Sequence, residues 1–268
     1  VTRSAVQVSD LPSGLSVRID RFRRGDACLR VWTMWLDDAD RAAGQDRHDV
    51  VMVHGLGASS QYFERLGLRL ARMGTVHLMD LPGFAAVPAP SRPFRTEDFA
   101  AVLHAWMDQA DLVAPVLVGQ SMGTQVVTET LAAYPGSAHA GVLVGPIVNA
   151  AERSATRQAL RLLQSAPFES HRTRSVVVSA YGRCAPWWVR AVLPGMVRYP
   201  IEERIGQVDV PLLLLRGEHD HVAPRPWVEH LTGLAKDGRF VEVEGAGHGV
   251  IDDHRDEVAR LVVEHARR

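Results

Sequence analysis

Lysine is almost missing from this chain: of its 30 basic residues only Lys236 is not an arginine. The arginines are scattered and interleaved with 31 acidic residues, and the formal net charge is −1. That balance gives no electrostatic basis for binding nucleic acid or an anionic membrane. Cysteine is equally scarce. Cys28 and Cys184 stand far apart, in neither a C-x-x-C nor a zinc-ligand spacing, so two buried thiols are predicted rather than a redox motif or a metal site. No segment approaches 18 consecutive apolar residues, and Val1 to Arg24 holds no continuous apolar h-region. A soluble, cytoplasmic protein is the expectation. P-loop and dinucleotide fingerprints are missing too, and neither a metal nor an organic cofactor is expected.

What the chain does have is apolar sequence in short, regularly spaced pieces. With 268 residues, 46% of them hydrophobic and 23% charged, it has the length and composition of one large globular α/β domain, alone or with an insertion. Val50–Val53, Thr75–Met79, Val116–Val118, Gly141–Val144, Leu212–Leu215 and Phe240–Val243 read as buried parallel strands alternating with amphipathic helices. Ser16–Phe22 and Cys28–Leu36 alternate more strictly and are predicted to form an antiparallel hairpin at one sheet edge. Between Glu97 and Asp111, residues Phe99, Val102, Leu103, Trp106, Met107 and Ala110 make one helical stripe, with Thr96 as its predicted N-cap. Met122–Tyr134 and Asp252–His265 are predicted helices as well.

The alternation breaks between Gly145-Pro146 and Val210-Pro211. Helical patterns at Thr156–Gln164 and Trp187–Leu193 are interrupted there by Pro167, Pro186, Pro194 and Pro200, and the one strand-like run is Ser175–Val178. A connection of this length inside a compact domain usually forms a lid or binding element. The expected organisation is therefore a core of residues 1–145 and 209–268 carrying a helical cap, residues 146–208.

Gly119-Gln120-Ser121-Met122-Gly123 follows one predicted strand and opens a predicted helix. A serine on such a sharp strand-to-helix turn projects its hydroxyl above the sheet edge, and the flanking glycines leave room for the crowded backbone. With 22 Gly in the chain, chance alone gives about 0.1 such pentapeptides, so the partners decide the matter. In an open α/β sheet, site residues gather at the carboxyl ends of strands. Leu212–Leu215 runs into Arg216-Gly217-Glu218-His219-Asp220, which offers Asp220 as an acid, with Glu218 as its neighbour and substitute. Phe240–Val243 runs into Glu244-Gly245-Ala246-Gly247-His248-Gly249, which offers His248 as a base. After Val50–Val53 comes His54-Gly55-Leu56-Gly57. Its Gly-rich turn can aim the Leu56 N–H, together with that of Met122, at a developing oxyanion. His54 reads as a structural histidine bonded to loop backbone.

Taken with Asp80-Leu81-Pro82-Gly83-Phe84, these five motifs occur in an order and at intervals that resemble the α/β-hydrolase superfamily, in its capped branch of esterases and C–C bond hydrolases. The resemblance implies an α/β-hydrolase fold: a mostly parallel eight-stranded sheet flanked by helices, with a cap inserted after the sixth strand. It also implies a Ser121–His248–Asp220 triad. Three positions depart from the pattern. Ala85 and Thr124 stand where similar enzymes often carry glycine, and Gly249 stands where C–C hydrolases of ring-fission products often carry tryptophan.

The predicted activity is serine-dependent hydrolysis of a carboxylic ester through an acyl-enzyme, on a small to medium hydrophobic substrate. C–C cleavage of a diketone by the same residues is one alternative, and a non-catalytic hydrolase-fold binding protein is another. Trp187 and Trp188 are candidates for the substrate pocket or, equally, for the core of the cap. The expected partners are a small-molecule substrate and at most a second copy of the chain, with no nucleic acid and no membrane.

Overall fold

A computed structural model describes residues 14–36 and 48–268. Eight strands form one sheet: β1 (Leu15–Arg24), β2 (Ala27–Leu36), β3 (Val50–Val53), β4 (Val76–Asp80), β5 (Val116–Gln120), β6 (Ala140–Val144), β7 (Leu212–Gly217) and β8 (Gly238–Val243), in the order β1-β2-β4-β3-β5-β6-β7-β8. The β1–β2 hairpin pairs antiparallel at one edge and β2 meets β4 antiparallel, while β4, β3, β5, β6, β7 and β8 run parallel. This is the mostly parallel sheet that the apolar runs predicted.

Period-two alternation sends the parallel strands into two cores. Val51, Val53, Leu212 and Leu214 face one side, beneath α2 (Thr96–Gln109), α3 (Met122–Ala133) and α8 (Arg225–Leu234). Val50, Met52, Leu213 and Leu215 face the other, beneath α1 (Glu64–Leu70), α9 (Val250–Asp253) and α10 (Arg255–His265). Both faces are covered, so these strands have no polar side to show. The predicted C-terminal helix breaks at His254 between α9 and α10, and Val258, Leu261 and Val262 are buried as expected. Both thiols are free and buried.

Between β6 and β7 the chain forms α4 (Ala155–Ser165), α5 (His171–Arg183), α6 (Pro186–Arg198) and α7 (Ile201–Arg204). Ser175–Val178 is a turn of α5, not a strand. Ser170 Oγ accepts the Thr173 N–H at 3.1 Å and nucleates the helix, and Val176 and Val177 pack on the core, which outweighs the strand preference of three successive valines. A second correction concerns α2. Thr96 is its first residue and Arg95 its N-cap, where Asp98 Oδ2 accepts the Arg95 N–H at 2.9 Å. Among the described residues, no helix is long and apolar enough to cross a membrane.

Candidate active site

Ser121 joins β5 to α3 at φ 55° and ψ −121°, a conformation that side-chain-bearing residues avoid and that persists only where the surroundings impose it. Here they do. The Ser121 N–H donates to Val144 O at 3.0 Å, and Thr124 donates its hydroxyl to Ser121 O at 2.6 Å. Thr124, one of the departures from the family pattern, thus ties down the turn that precedes it. Both glycines of the elbow are sterically required: a Cβ on Gly123 would fall 2.0 Å from Val53 O, and one on Gly119 would fall 2.4 Å from Gly123 O. The start of α3 rests directly on the end of β3.

Asp220 and His248 come from the ends of β7 and β8. Asp220 Oδ1 accepts the N–H groups of Val222 and Ala223 at 2.9 and 3.0 Å, while Oδ2 meets His248 Nδ1 at 2.8 Å. Arg216 braces this turn by donating to the carbonyls of Ala223, Glu218 and Asp220. Glu218 faces elsewhere and accepts the Gly245 N–H at 2.9 Å, so Asp220 is the carboxylate on the imidazole. Burial raises the Asp220 pKa, but the adjacent His248 and the two N–H donors overcome it and leave the carboxyl below its ordinary value. For His248, burial opposes the charged ring. The charge and hydrogen bond of Asp220, with a further contribution from Glu169, outweigh burial and raise its pKa. The Nδ1–H points to Asp220, which leaves Nε2 as the acceptor nitrogen.

The loop after β3 is held by its own histidine. His54 Nδ1 donates to Gly55 O at 2.7 Å and Nε2 accepts the Leu81 N–H at 3.1 Å. Burial lowers the His54 pKa against the pull of Asp80, so the ring is a neutral strut. Asp80 is a second strut, accepting from Ser60 N, Arg30 Nε and Trp32 Nε1 at 2.7, 2.8 and 3.0 Å. The N–H groups of Leu56 and Met122 have no protein acceptor among the described residues, as suits donors waiting for an anion.

Ser121, Leu56 and His248 line one cavity of about 570 Å³ under the β6–β7 helices. Its walls are mainly hydrocarbon from Leu162, Leu163, Val177, Val189, Leu193 and Met196. Trp187 and Trp188 do not line it. Trp188 is fully buried with its indole N–H on Pro82 O at 3.1 Å, and Trp187 is 60% exposed. The first is core between α6 and the loop after β4; the second lies on the surface. In their place the cavity receives polar residues that no motif announced, Glu169, Gln158 and Tyr62 among them. The Glu169 carboxyl accepts the Gly249 N–H at 2.7 Å, and a Cβ at position 249 would sit 1.9 Å from its other oxygen. Position 249 is glycine because a carboxyl fills its side-chain space. Burial raises Glu169 to about 7, against the Gly249 N–H and His248, with Asp253 and Asp220 adding to the rise. Among the described residues, no group of three or more His, Cys, Asp or Glu side chains is arranged to hold a metal ion.

Residues 50–261 match the model of the alpha/beta hydrolase family. A pimeloyl-[acyl-carrier protein] methyl ester esterase of Neisseria meningitidis serogroup B is 26% identical over 237 residues, covering 79% of this chain and 90% of that protein. Among solved structures, a thermophilic esterase from Thermogutta terrifontis superposes with a TM-score of 0.75 at 18% identity, over 93% of this chain and 98% of its own. A 2-hydroxy-6-oxo-6-phenylhexa-2,4-dienoate hydrolase from Rhodococcus sp. strain RHA1 gives 0.73 at 20% identity, over 95% and 100%. The family model spans most of the chain and the sheet order agrees with it, so the chain is a hydrolase of the alpha/beta hydrolase family.

Proposed function

We propose that the chain is a serine-dependent carboxylic ester hydrolase, with Ser121, His248 and Asp220 as its triad and residues 146–208 as the cap over a core of 1–145 and 209–268. The observation that carries this reading is the 2.8 Å His248–Asp220 contact at a cavity that Ser121 shares. Free serine is a poor nucleophile. Ser121 Oγ attacks the ester carbonyl as its proton passes to His248 Nε2, and Asp220 fixes the ring tautomer and stabilises the imidazolium that forms. The carbonyl oxygen takes the negative charge and is met by the N–H groups of Leu56 and Met122, each such donor lowering the barrier by about 2.7 to 4 kcal/mol. Collapse of the tetrahedral intermediate breaks the bond to the alcohol, which leaves with the proton from His248. Water, deprotonated by the same nitrogen, then hydrolyses the acyl-enzyme and restores Ser121. The scheme draws on no metal or organic cofactor.

The hydrocarbon walls favour an apolar acyl group of modest length. Steady-state hydrolysis of 4-nitrophenyl esters from acetate to decanoate tests the reading. Turnover should be best for a mid-length acyl chain and fall by at least about 10⁴-fold in Ser121→Ala. A ring-fission diketone is the counter-substrate: cleavage of the diketone in preference to every ester would move the assignment to C–C hydrolysis.

A further inference from the structure

Among the described residues, two that line the cavity each hold a buried side-chain oxygen with no protein partner, and both residues lie between β6 and β7. Glu169 uses Oε1 to accept the Gly249 N–H, and its Oε2 is buried without a partner. Gln158 donates Nε2 to Glu152 O at 3.0 Å, which fixes the amide and leaves its Oε1 buried and unpartnered as well. Both residues line the cavity with Ser121 and His248. Buried acceptors are normally satisfied, because stripping water from one without replacement costs about 1 to 3 kcal/mol. Such atoms in the wall of an otherwise hydrocarbon site are the groups a ligand completes.

We propose that the cavity selects esters whose alcohol part carries a free hydroxyl, as in a monoester of a diol or polyol, and that Glu169 Oε2, with Gln158 Oε1, receives that hydroxyl. The proposal rests on the esterase reading above and names its substrate class. The position of Glu169 sets which half of the ester it meets. Its carboxyl is bonded to the residue immediately after His248, and His248 hands its proton to the departing alcohol, so Glu169 lies on the leaving-group side. The chemistry sets the functional group. A hydroxyl both donates and accepts, so it satisfies Oε2 whether or not the carboxyl holds a proton, whereas an ether only accepts and an alkyl group does neither. An ammonium group would meet Arg174, which lines the same cavity.

The test compares two esters of equal size on the 268-residue chain, 2-hydroxyethyl octanoate and propyl octanoate. The wild type should hydrolyse the hydroxyethyl ester with a kcat/KM at least tenfold higher, as expected when a site built to bond a hydroxyl meets an analogue lacking it. In Glu169→Met, which keeps the length of the side chain and removes both carboxyl oxygens, the preference should fall to about threefold or less. The ratio is taken within each protein, so a general loss of activity does not mask it. If the variant is too slow to measure, the wild-type ratio decides alone. A wild-type ratio near one, or an unchanged ratio in Glu169→Met, overturns the hydroxyl site and leaves the esterase reading standing. Failure to hydrolyse either ester, with 4-nitrophenyl esters also untouched, overturns both.

Discussion

Glu169→Gln should stabilise the protein, and by an amount that depends on pH. The carboxyl is buried beside His248 and titrates near 7 in the folded chain, against 4.5 as its ordinary value. Between those two pH values the native state holds a proton that the unfolded chain has released, so stability declines as pH rises. Below pH 4.5 both states are protonated and the penalty vanishes; above about 7 it is fully developed. At about 1.36 kcal/mol per pKa unit the penalty reaches about 3 kcal/mol. Glutamine keeps a carbonyl oxygen for the Gly249 N–H and has no proton to lose. Thermal unfolding of both proteins at pH 5 and pH 8 reads the difference. A gain of that size raises the midpoint of a chain this long by about 5 °C at pH 8, and by about 1 °C at pH 5. An equal shift at both pH values, or a less stable variant at pH 8, would refute the assignment of a buried, charge-penalised carboxyl.

Three further outcomes follow from the structure. Because Asp220 raises the His248 pKa above 6.5 and a general base must be neutral, kcat/KM should climb with pH through a midpoint above 6.5. In Asp220→Asn burial is left with less opposition, so the His248 ring resonance followed by NMR should titrate at lower pH; an unmoved midpoint would contradict the pairing. Trp188→Ala should destabilise by about 3 to 5 kcal/mol, as for a buried aromatic, while Trp187→Ala should stay within about 0.5 kcal/mol. Urea unfolding distinguishes them, and similar losses at both positions would contradict their opposite burial.

The parts of the site that the sequence made legible are those where local pattern and chemistry coincide. Ser121, Asp220 and His248 each follow an apolar run long enough to be a buried strand, and parallel strands deliver their C-terminal loops to one edge. The hairpin was legible because its two strands alternate in sequence, although the fold buries β2 on both faces and leaves Val17 and Ile19 of β1 about half exposed. Trp187 and Trp188 were not, because neighbours on a helix point about 100° apart and composition does not say which one turns inward. Ser175–Val178 misled because three valines favour a strand in isolation, whereas the Ser170 cap and the burial of Val176 and Val177 are tertiary facts. Glu169 was the least legible of all. It reaches the His248 loop across 80 residues of chain, and the only trace in the sequence is the glycine at 249 that makes space for it.

The central claim, that Ser121 is the nucleophile, is tested most directly by exposing the chain to an alkyl fluorophosphonate and mapping the adduct by mass spectrometry. The account predicts a single phosphonyl group on the peptide containing Ser121, and none on the Ser121→Ala protein under the same conditions. An unlabelled wild type, or a Ser121→Ala protein labelled to the same extent, would contradict it.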